Sequence, residues 1–149
     1  MKYIFESLNK AKQFIKIKPE VSLDDCISTN GNLMELSNIN YGITVDNLNL
    51  YLEQNVKQSR KKIYDSLKNI DEDIMILTDA DFEGERIAYD IKNIINKDNI
   101  YRAWIKSYTK NGIEKAYNNN FKYNDDNIKK YNIDKILRIQ KLRRIIDRL

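Results

Sequence analysis

Short apolar runs alternate with longer amphipathic stretches along this chain. The runs at 2–5 and 74–77 are mostly apolar, and 26–29 and 101–105 are two further short stretches that predict strands; each has the length of a single strand. The run at 74–77 is an unbroken Ile-Met-Ile-Leu segment. Such a run is typical of a central strand that is buried on both faces of a parallel sheet.

The stretches between these runs predict helices. Ser7 is placed to cap a helix that continues through Ile15, and Thr109 is placed to cap a helix that carries Ile113. Further helices are predicted over 56–70, over 86–95 and from about 126 to the end, whereas 38–52 predicts a loop with a short extended piece. This alternation predicts an α/β fold, with a mostly parallel, Rossmann-like sheet of about four strands and helices on both faces.

The composition says little about the class of fold, but it excludes several kinds of catalytic chemistry. The chain has 149 residues, 42% hydrophobic and 32% charged, which predicts one folded domain at 1–120 and a basic helical segment at 121–149. It has one cysteine and no histidine, which excludes His-based triads and thiolate zinc clusters. No apolar run reaches 18 residues and no secretory signal is evident, so we expect a cytoplasmic protein without a membrane partner.

The charges are unevenly distributed. Seven acids and no base lie between Asp71 and Glu85, while six bases and one acid lie between Lys135 and Leu149. The net charge of +4 therefore arises in the C-terminal segment, where a polyanion such as DNA could bind. The same bases could also form the solvated face of an amphipathic helix.

The most informative motif follows the predicted central strand. Asp79 and Asp81 lie just past residues 74–77, where ligands bind in parallel sheets, and Glu6 ends the first predicted strand in the same way. If the two strands are neighbours, these carboxylates meet in one crevice, where Mg²⁺ is the hard cation that fits them. The alternative is that the acids, Glu85 above all, only complement a helix dipole or face solvent.

These segments resemble a known family. Phe-Glu-Ser at 5–7, Lys-Ala-Lys at 10–12, and Asp-Ala-Asp-Phe-Glu-Gly-Glu at 79–85 followed by Ile-Ala resemble the Toprim domain of type IA DNA topoisomerases. Three weaker likenesses follow the family order, at 28–36, 109–113 and 142–149. The acidic motif alone also occurs in primases and other Toprim proteins, whereas the ordered set is specific to type IA enzymes.

The resemblance implies a role for each matching position. Four acids would hold Mg²⁺: Glu6, Asp79, Asp81 and Glu83. Lys10 would contact the scissile phosphate and help to protonate the leaving 3′ oxygen, and Glu6, Lys10 and Arg143 would form the catalytic set. Asn32, Arg143 and Asp147, together with Lys10, would contact DNA, with single strands preferred.

The chain also departs from the family pattern. Phe82, Asn32 and Ser107 replace the family's Arg, His and Glu, Tyr89-Asp90 replaces its Trp-His pair, and no tyrosine lies in the expected nucleophile context. We therefore expect an N-terminal part that works with the remaining topoisomerase domains and does not relax DNA alone. Two alternatives stay open: a stand-alone Toprim nuclease or primase-type enzyme, and a non-catalytic nucleic-acid-binding accessory domain.

Overall fold

A computed structural model describes residues 1–36, 43–46, 49–52 and 54–123. The predicted C-terminal helix, with Arg143 and Asp147, lies outside the described residues. In chain order the helices and strands are β1 (Lys2–Phe5), α1 (Leu8–Ile17), β2 (Cys26–Ser28), β3 (Met34–Leu36), β4 (Ile43–Asp46), β5 (Asn49–Leu52), β6 (Gln54–Val56), α2 (Lys61–Lys68), β7 (Ile74–Ile76), α3 (Phe82–Ile95), β8 (Ile100–Arg102), α4 (Lys110–Asn118) and β9 (Phe121–Lys122).

Five of these strands form one sheet in the order β2-β1-β7-β8-β9. The first four strands in that order are parallel, and β9 pairs antiparallel with β8 at the edge. The α/β fold with a mostly parallel sheet is thus confirmed, with one strand more than predicted. The antiparallel β9 lies just past residue 120, where the sequence predicts the domain to end.

Helices cover both faces of the sheet, as predicted. Alternating side chains of the strands point to opposite sides, so Ile4, Ile74 and Ile76 pack in a cluster with residues of α2 and α3. Phe5 and Met75 pack on the other side in a cluster with α1 and α4. All three residues of β7 are buried, which confirms it as the central strand.

Several predicted boundaries are wrong for local reasons. The helix predicted over 56–70 begins only at Lys61, because Gln54–Val56 pairs antiparallel with Met34–Leu36 as a strand. Within 38–52, β4 and β5 pair antiparallel. The strand predicted over 101–105 ends at Arg102, although Ile105 still makes a parallel bridge to Asp79.

The helix predicted to begin at 86 begins at Phe82 instead. Asp81 caps it, because its side chain accepts a hydrogen bond from the backbone of Gly84. Within the described part of the chain, no helix has both the length and the apolar character needed to cross a membrane.

Candidate active site at the carboxyl ends of the central strands

Glu6 and Asp79 come together because β1 and β7 are neighbours in register. Ile4 pairs with Ile76, so each strand ends at the same edge of the sheet. The Glu6 side chain accepts a hydrogen bond of 2.9 Å at Oε1 from the backbone N–H of Asp79. The predicted approach of Glu6 to the central acidic motif is therefore seen directly.

Lys10 completes this group from the first turn of α1. Ser7 caps the helix as predicted, accepting from the backbone N–H of Lys10 at 3.3 Å. The ammonium Nζ of Lys10 then lies 2.7 Å from Oδ2 of Asp79 and 3.6 Å from Oε2 of Glu6. Burial lowers the pKa of Lys10, but the hydrogen bond with Asp79 and the charge of Glu6 outweigh it, so the pKa is raised overall.

Tyr108 is a member of the site that sequence reasoning missed. Its hydroxyl donates to Oδ1 of Asp79 at 3.2 Å, and its ring centroid lies 5.6 Å from the Lys10 ammonium. Burial and then the charge of Asp79 raise the pKa of Tyr108, so the phenol remains a donor at neutral pH. The only signal in the sequence was its place directly before the helix cap Thr109.

Asp81 and Glu83 take different partners. Oδ1 of Asp81 accepts from the Gly84 backbone at 2.7 Å as the cap of α3, and Glu83 accepts from the side-chain amide of Asn32. Asp79 and Asp81 nevertheless line one cavity of about 250 Å³, with Ala80, Ile105, Lys106 and Tyr108. The structure thus groups Glu6, Lys10 and Asp79 tightly, and Asp81 lines the same cavity as Asp79 without joining that group.

The backbone that carries Asp79 is held from behind by Arg102. This side chain is fully buried and donates to the carbonyl oxygens of Ile76, Thr78, Asp79 and Ala103 at 2.7–3.2 Å. Glu85, in the first turn of α3, pairs with the guanidinium at 2.8 Å. Burial lowers the pKa of Arg102 and Glu85 opposes this effect, but guanidinium groups stay charged in proteins.

Gly84 explains how α3 approaches this loop so closely. A Cβ at this position would overlap the backbone carbonyl of Asp79. The hydroxyl of Thr78 also donates to the Gly84 carbonyl at 2.7 Å, so the strand end and the helix start form one packed unit. The loop therefore presents the Asp79 carboxylate from a fixed backbone.

The residue types fit a hard divalent cation, with three carboxylates at one edge and no soft ligand. Among the described residues, however, no three acidic, histidine or cysteine side chains are arranged to hold a metal ion. The cation beside Asp79 is the Lys10 ammonium instead. A divalent ion would compete with Lys10 for the same carboxylate oxygens.

Comparison with known proteins identifies the family of the chain. The family model described as the Toprim domain matches residues 3–108, which covers all three residues of the tight group. The chain belongs to the Toprim domain family.

Its relatives are topoisomerases. The chain is 28% identical over 130 residues to DNA topoisomerase 1 of Campylobacter jejuni, across 84% of this chain and 17% of that protein. It is 33% identical over 102 residues to DNA topoisomerase 1 of Buchnera aphidicola, across 65% of this chain and 11% of that protein. The chain thus spans less than a fifth of the length of these relatives.

The fold also matches a solved structure, that of full-length topoisomerase I from Thermotoga maritima. The TM-score is 0.70 at 23% identity, and the match covers 86% of this chain and 22% of the other. This likeness shows that the two proteins share the fold of this region.

Proposed function

We propose that this chain is the Toprim part of a type IA DNA topoisomerase, an enzyme that changes DNA topology by cutting one strand, passing another and resealing the first. The observation that carries the proposal is the convergence of Glu6 and Asp79, at the ends of two neighbouring parallel strands, with Lys10 of α1. The relatives named DNA topoisomerase 1 support it. They do not favour a stand-alone nuclease, a primase-type enzyme or a non-catalytic accessory domain.

In this proposal the acids hold Mg²⁺ and Lys10 acts on the phosphate. Glu6, Asp79 and Asp81 supply the carboxylates, with Glu83 assisting, and the ion when bound neutralises charge on the scissile phosphate. Lys10 carries a positive charge at neutral pH, as an ordinary lysine side chain does. It can therefore contact a phosphate oxygen and donate a proton to the leaving 3′ oxygen.

The remaining predicted roles belong to the same proposal. Asn32, next to Glu83 at the start of α3, and Arg143 and Asp147 would contact a DNA strand, with single strands preferred. The nucleophilic tyrosine would come from the remaining topoisomerase domains. A cytoplasmic location remains a prediction from the sequence.

A chimeric enzyme tests the proposal. The matching region of the Campylobacter DNA topoisomerase 1 is replaced by this chain, and relaxation of a supercoiled plasmid is measured with Mg²⁺. We expect relaxation above that of the same enzyme without the region. We expect a loss of at least about 100-fold in Glu6→Gln and Asp79→Asn, because changing only the partners of metal ligands already costs about 10- to 100-fold.

Glu20→Gln, which changes an exposed acid past the end of α1, is the matched control and should relax plasmid at the unaltered rate. A folded chimera without activity, or equal activity in all four proteins, would contradict the proposal.

A further inference from the structure

A second cavity, of about 300 Å³, adjoins the candidate active site. Its described lining comes from the segment after β8, from α4 and from β9, and it includes Trp104, Lys106, Lys115 and Phe121. Lys106 lines this cavity and also the one that contains Asp79 and Asp81. The two cavities are therefore neighbours along one surface.

Trp104 is exposed yet held in place. Its side chain is 45% exposed. In the described part of the chain it is one of four large hydrophobic residues that are exposed. The indole N–H donates to Oε1 of Glu85 at 2.7 Å, and Glu85 is fixed in turn by Arg102. Phe121 meets the indole edge-on, with ring centroids 4.9 Å apart. An aromatic ring fixed at its edge and exposed to solvent is a preorganised surface for stacking.

The charge of the cavity complements an anion. Lys106 and Lys115 are both exposed and both line it, and the described part of the lining contains no carboxylate. Glu85, which accepts from the Trp104 indole, is already paired with the buried Arg102. A ligand that combines a flat aromatic ring with negative charge fits this lining, and a nucleotide is such a ligand.

We propose that this cavity binds one nucleotide of a single DNA strand, with the base stacked on Trp104 and the phosphates beside Lys106 and Lys115. The inference deepens the proposed function and rests on it, because a strand whose phosphate lies at Lys10 and Asp79 continues past Lys106 into the cavity. Stacking on a fixed aromatic ring accepts any base, which suits an enzyme that acts on strands of many sequences.

The chain contains a single tryptophan, so its fluorescence reports this site directly. The 149-residue chain is titrated with a ten-nucleotide oligothymidylate in EDTA, and Trp fluorescence is recorded together with the anisotropy of a labelled copy of the same strand. We expect quenching that saturates at the concentration where anisotropy does. Binding seen by anisotropy without any change in Trp fluorescence would overturn the proposal.

Variants separate stacking from charge. Trp104→Leu should weaken binding, measured by anisotropy, by at least about fivefold, as for loss of one stacked base. Lys115→Gln should lower the slope of log affinity against log salt by about 0.7. Lys62→Gln on the exposed side of α2 is the control and should bind like the unaltered chain. Equal binding by all of these folded proteins would overturn the site.

The fluorescence and chimera experiments together test the nucleotide cavity and the proposed function separately. Quenching in EDTA should persist in Asp79→Asn, because the cavity does not use that carboxylate. Quenching together with an inactive chimera would refute the topoisomerase proposal and support a strand-binding cavity. An active chimera without quenching would refute the cavity alone. Quenching by an RNA strand but not by DNA would overturn the assignment to DNA.

Discussion

Two cationic side chains contact Asp79, one at its backbone and the other at its carboxylate. Arg102 is buried against the sheet and donates to the Asp79 carbonyl at 3.0 Å from a side chain with no exposed surface. Lys10 binds the carboxylate from outside at 2.7 Å, and 27% of its side chain is exposed. One cation is part of the scaffold, and the other faces the opening where a ligand arrives.

The difference lies in how many partners each cation has and whether water can replace them. Arg102 donates to four carbonyl oxygens and to Glu85, and water has no access to its guanidinium because the side chain has no exposed surface. Lys10 has two carboxylate partners that remain partly exposed, so water or a metal ion can take its place. Stability should therefore depend on Arg102, and ligand binding on Lys10.

The largest expected effect is on Arg102. Arg102→Ala removes the buried guanidinium that binds four backbone carbonyls and pairs with Glu85, and it should cost about 3–5 kcal/mol of unfolding free energy. Urea unfolding followed by circular dichroism measures this. If the alanine variant does not fold, Arg102→Lys, which keeps the charge and loses the planar fork, should fold with a clearly lower midpoint.

The control for this variant is Arg60→Ala. Arg60 donates to the Asn30 carbonyl at 2.7 Å from a partly exposed position, so its loss should cost no more than about 1 kcal/mol. Similar losses for Arg60 and Arg102 would remove the distinction between scaffold and surface cations.

The next effect concerns the contact between α3 and the Asp79 loop. Gly84→Ala forces a methyl group against the Asp79 carbonyl, and it should cost about 1–3 kcal/mol and weaken binding of Mn²⁺. Asn93→Ala, at an exposed position of the same helix, should change stability by less than about 0.5 kcal/mol. Urea unfolding measures stability, and calorimetric titration measures Mn²⁺ affinity. Unaltered Mn²⁺ binding in Gly84→Ala would show that the position of the Asp79 carboxylate does not depend on this contact.

Lys10→Gln should change metal binding more than it changes stability, which is the opposite of the effect expected for Arg102. Because the pair is partly exposed, its loss should cost at most about 1 kcal/mol of stability. Removing the ammonium from between two carboxylates should tighten Mn²⁺ binding about tenfold, measured by calorimetric titration without DNA. Lys12→Gln, an exposed neighbour on α1, should leave the affinity unchanged. Weaker binding in Lys10→Gln would show that Lys10 does not occupy the position of the metal.

The features that the sequence predicts best are the central strand, the carboxylates at the strand ends and the helix caps. The unbroken apolar run at 74–77 identifies β7, and the carboxyl-end rule for parallel strands brings Glu6 to Asp79. The caps Ser7 and Thr109 are equally local signals, and both accept the expected backbone hydrogen bonds. The strand and the two caps need only the chain's own period or its next few residues, whereas the approach of Glu6 to Asp79 also requires that β1 and β7 be neighbours.

The scaffold of the site could not be predicted in this way. Arg102 reads as a charged residue at a strand end, and only the tertiary position of Glu85 and four carbonyls makes its burial possible. Asp81 is compatible both with a metal ligand and with a helix cap, and its sequence context does not separate them. Val56 fits a helical period, yet it belongs to a strand whose partner lies twenty residues earlier.

A smaller effect tests the link between Tyr108 and Asp79. Tyr108→Phe removes the hydrogen bond of 3.2 Å to Oδ1 and should cost about 0.5–1.5 kcal/mol in urea unfolding. A double-mutant cycle with Asp79→Asn isolates the pair, because the loss in the double variant should be smaller than the sum of the single losses. Additive losses would mean that the hydroxyl contributes nothing through Asp79.

The smallest effect appears only at alkaline pH. The folded state holds the protons of Lys10 and Tyr108 more tightly than the unfolded chain, because both pKa values are raised above 10.5 and 10.0. Their contribution to stability is therefore complete below about pH 10 and is lost as the pH rises through the raised values. The unfolding free energy of the unaltered chain should fall more steeply above this pH than that of Lys10→Gln or Tyr108→Phe. Parallel curves would show that neither proton is held by the Asp79 group, and the exposed cation would then differ from Arg102 only in its position.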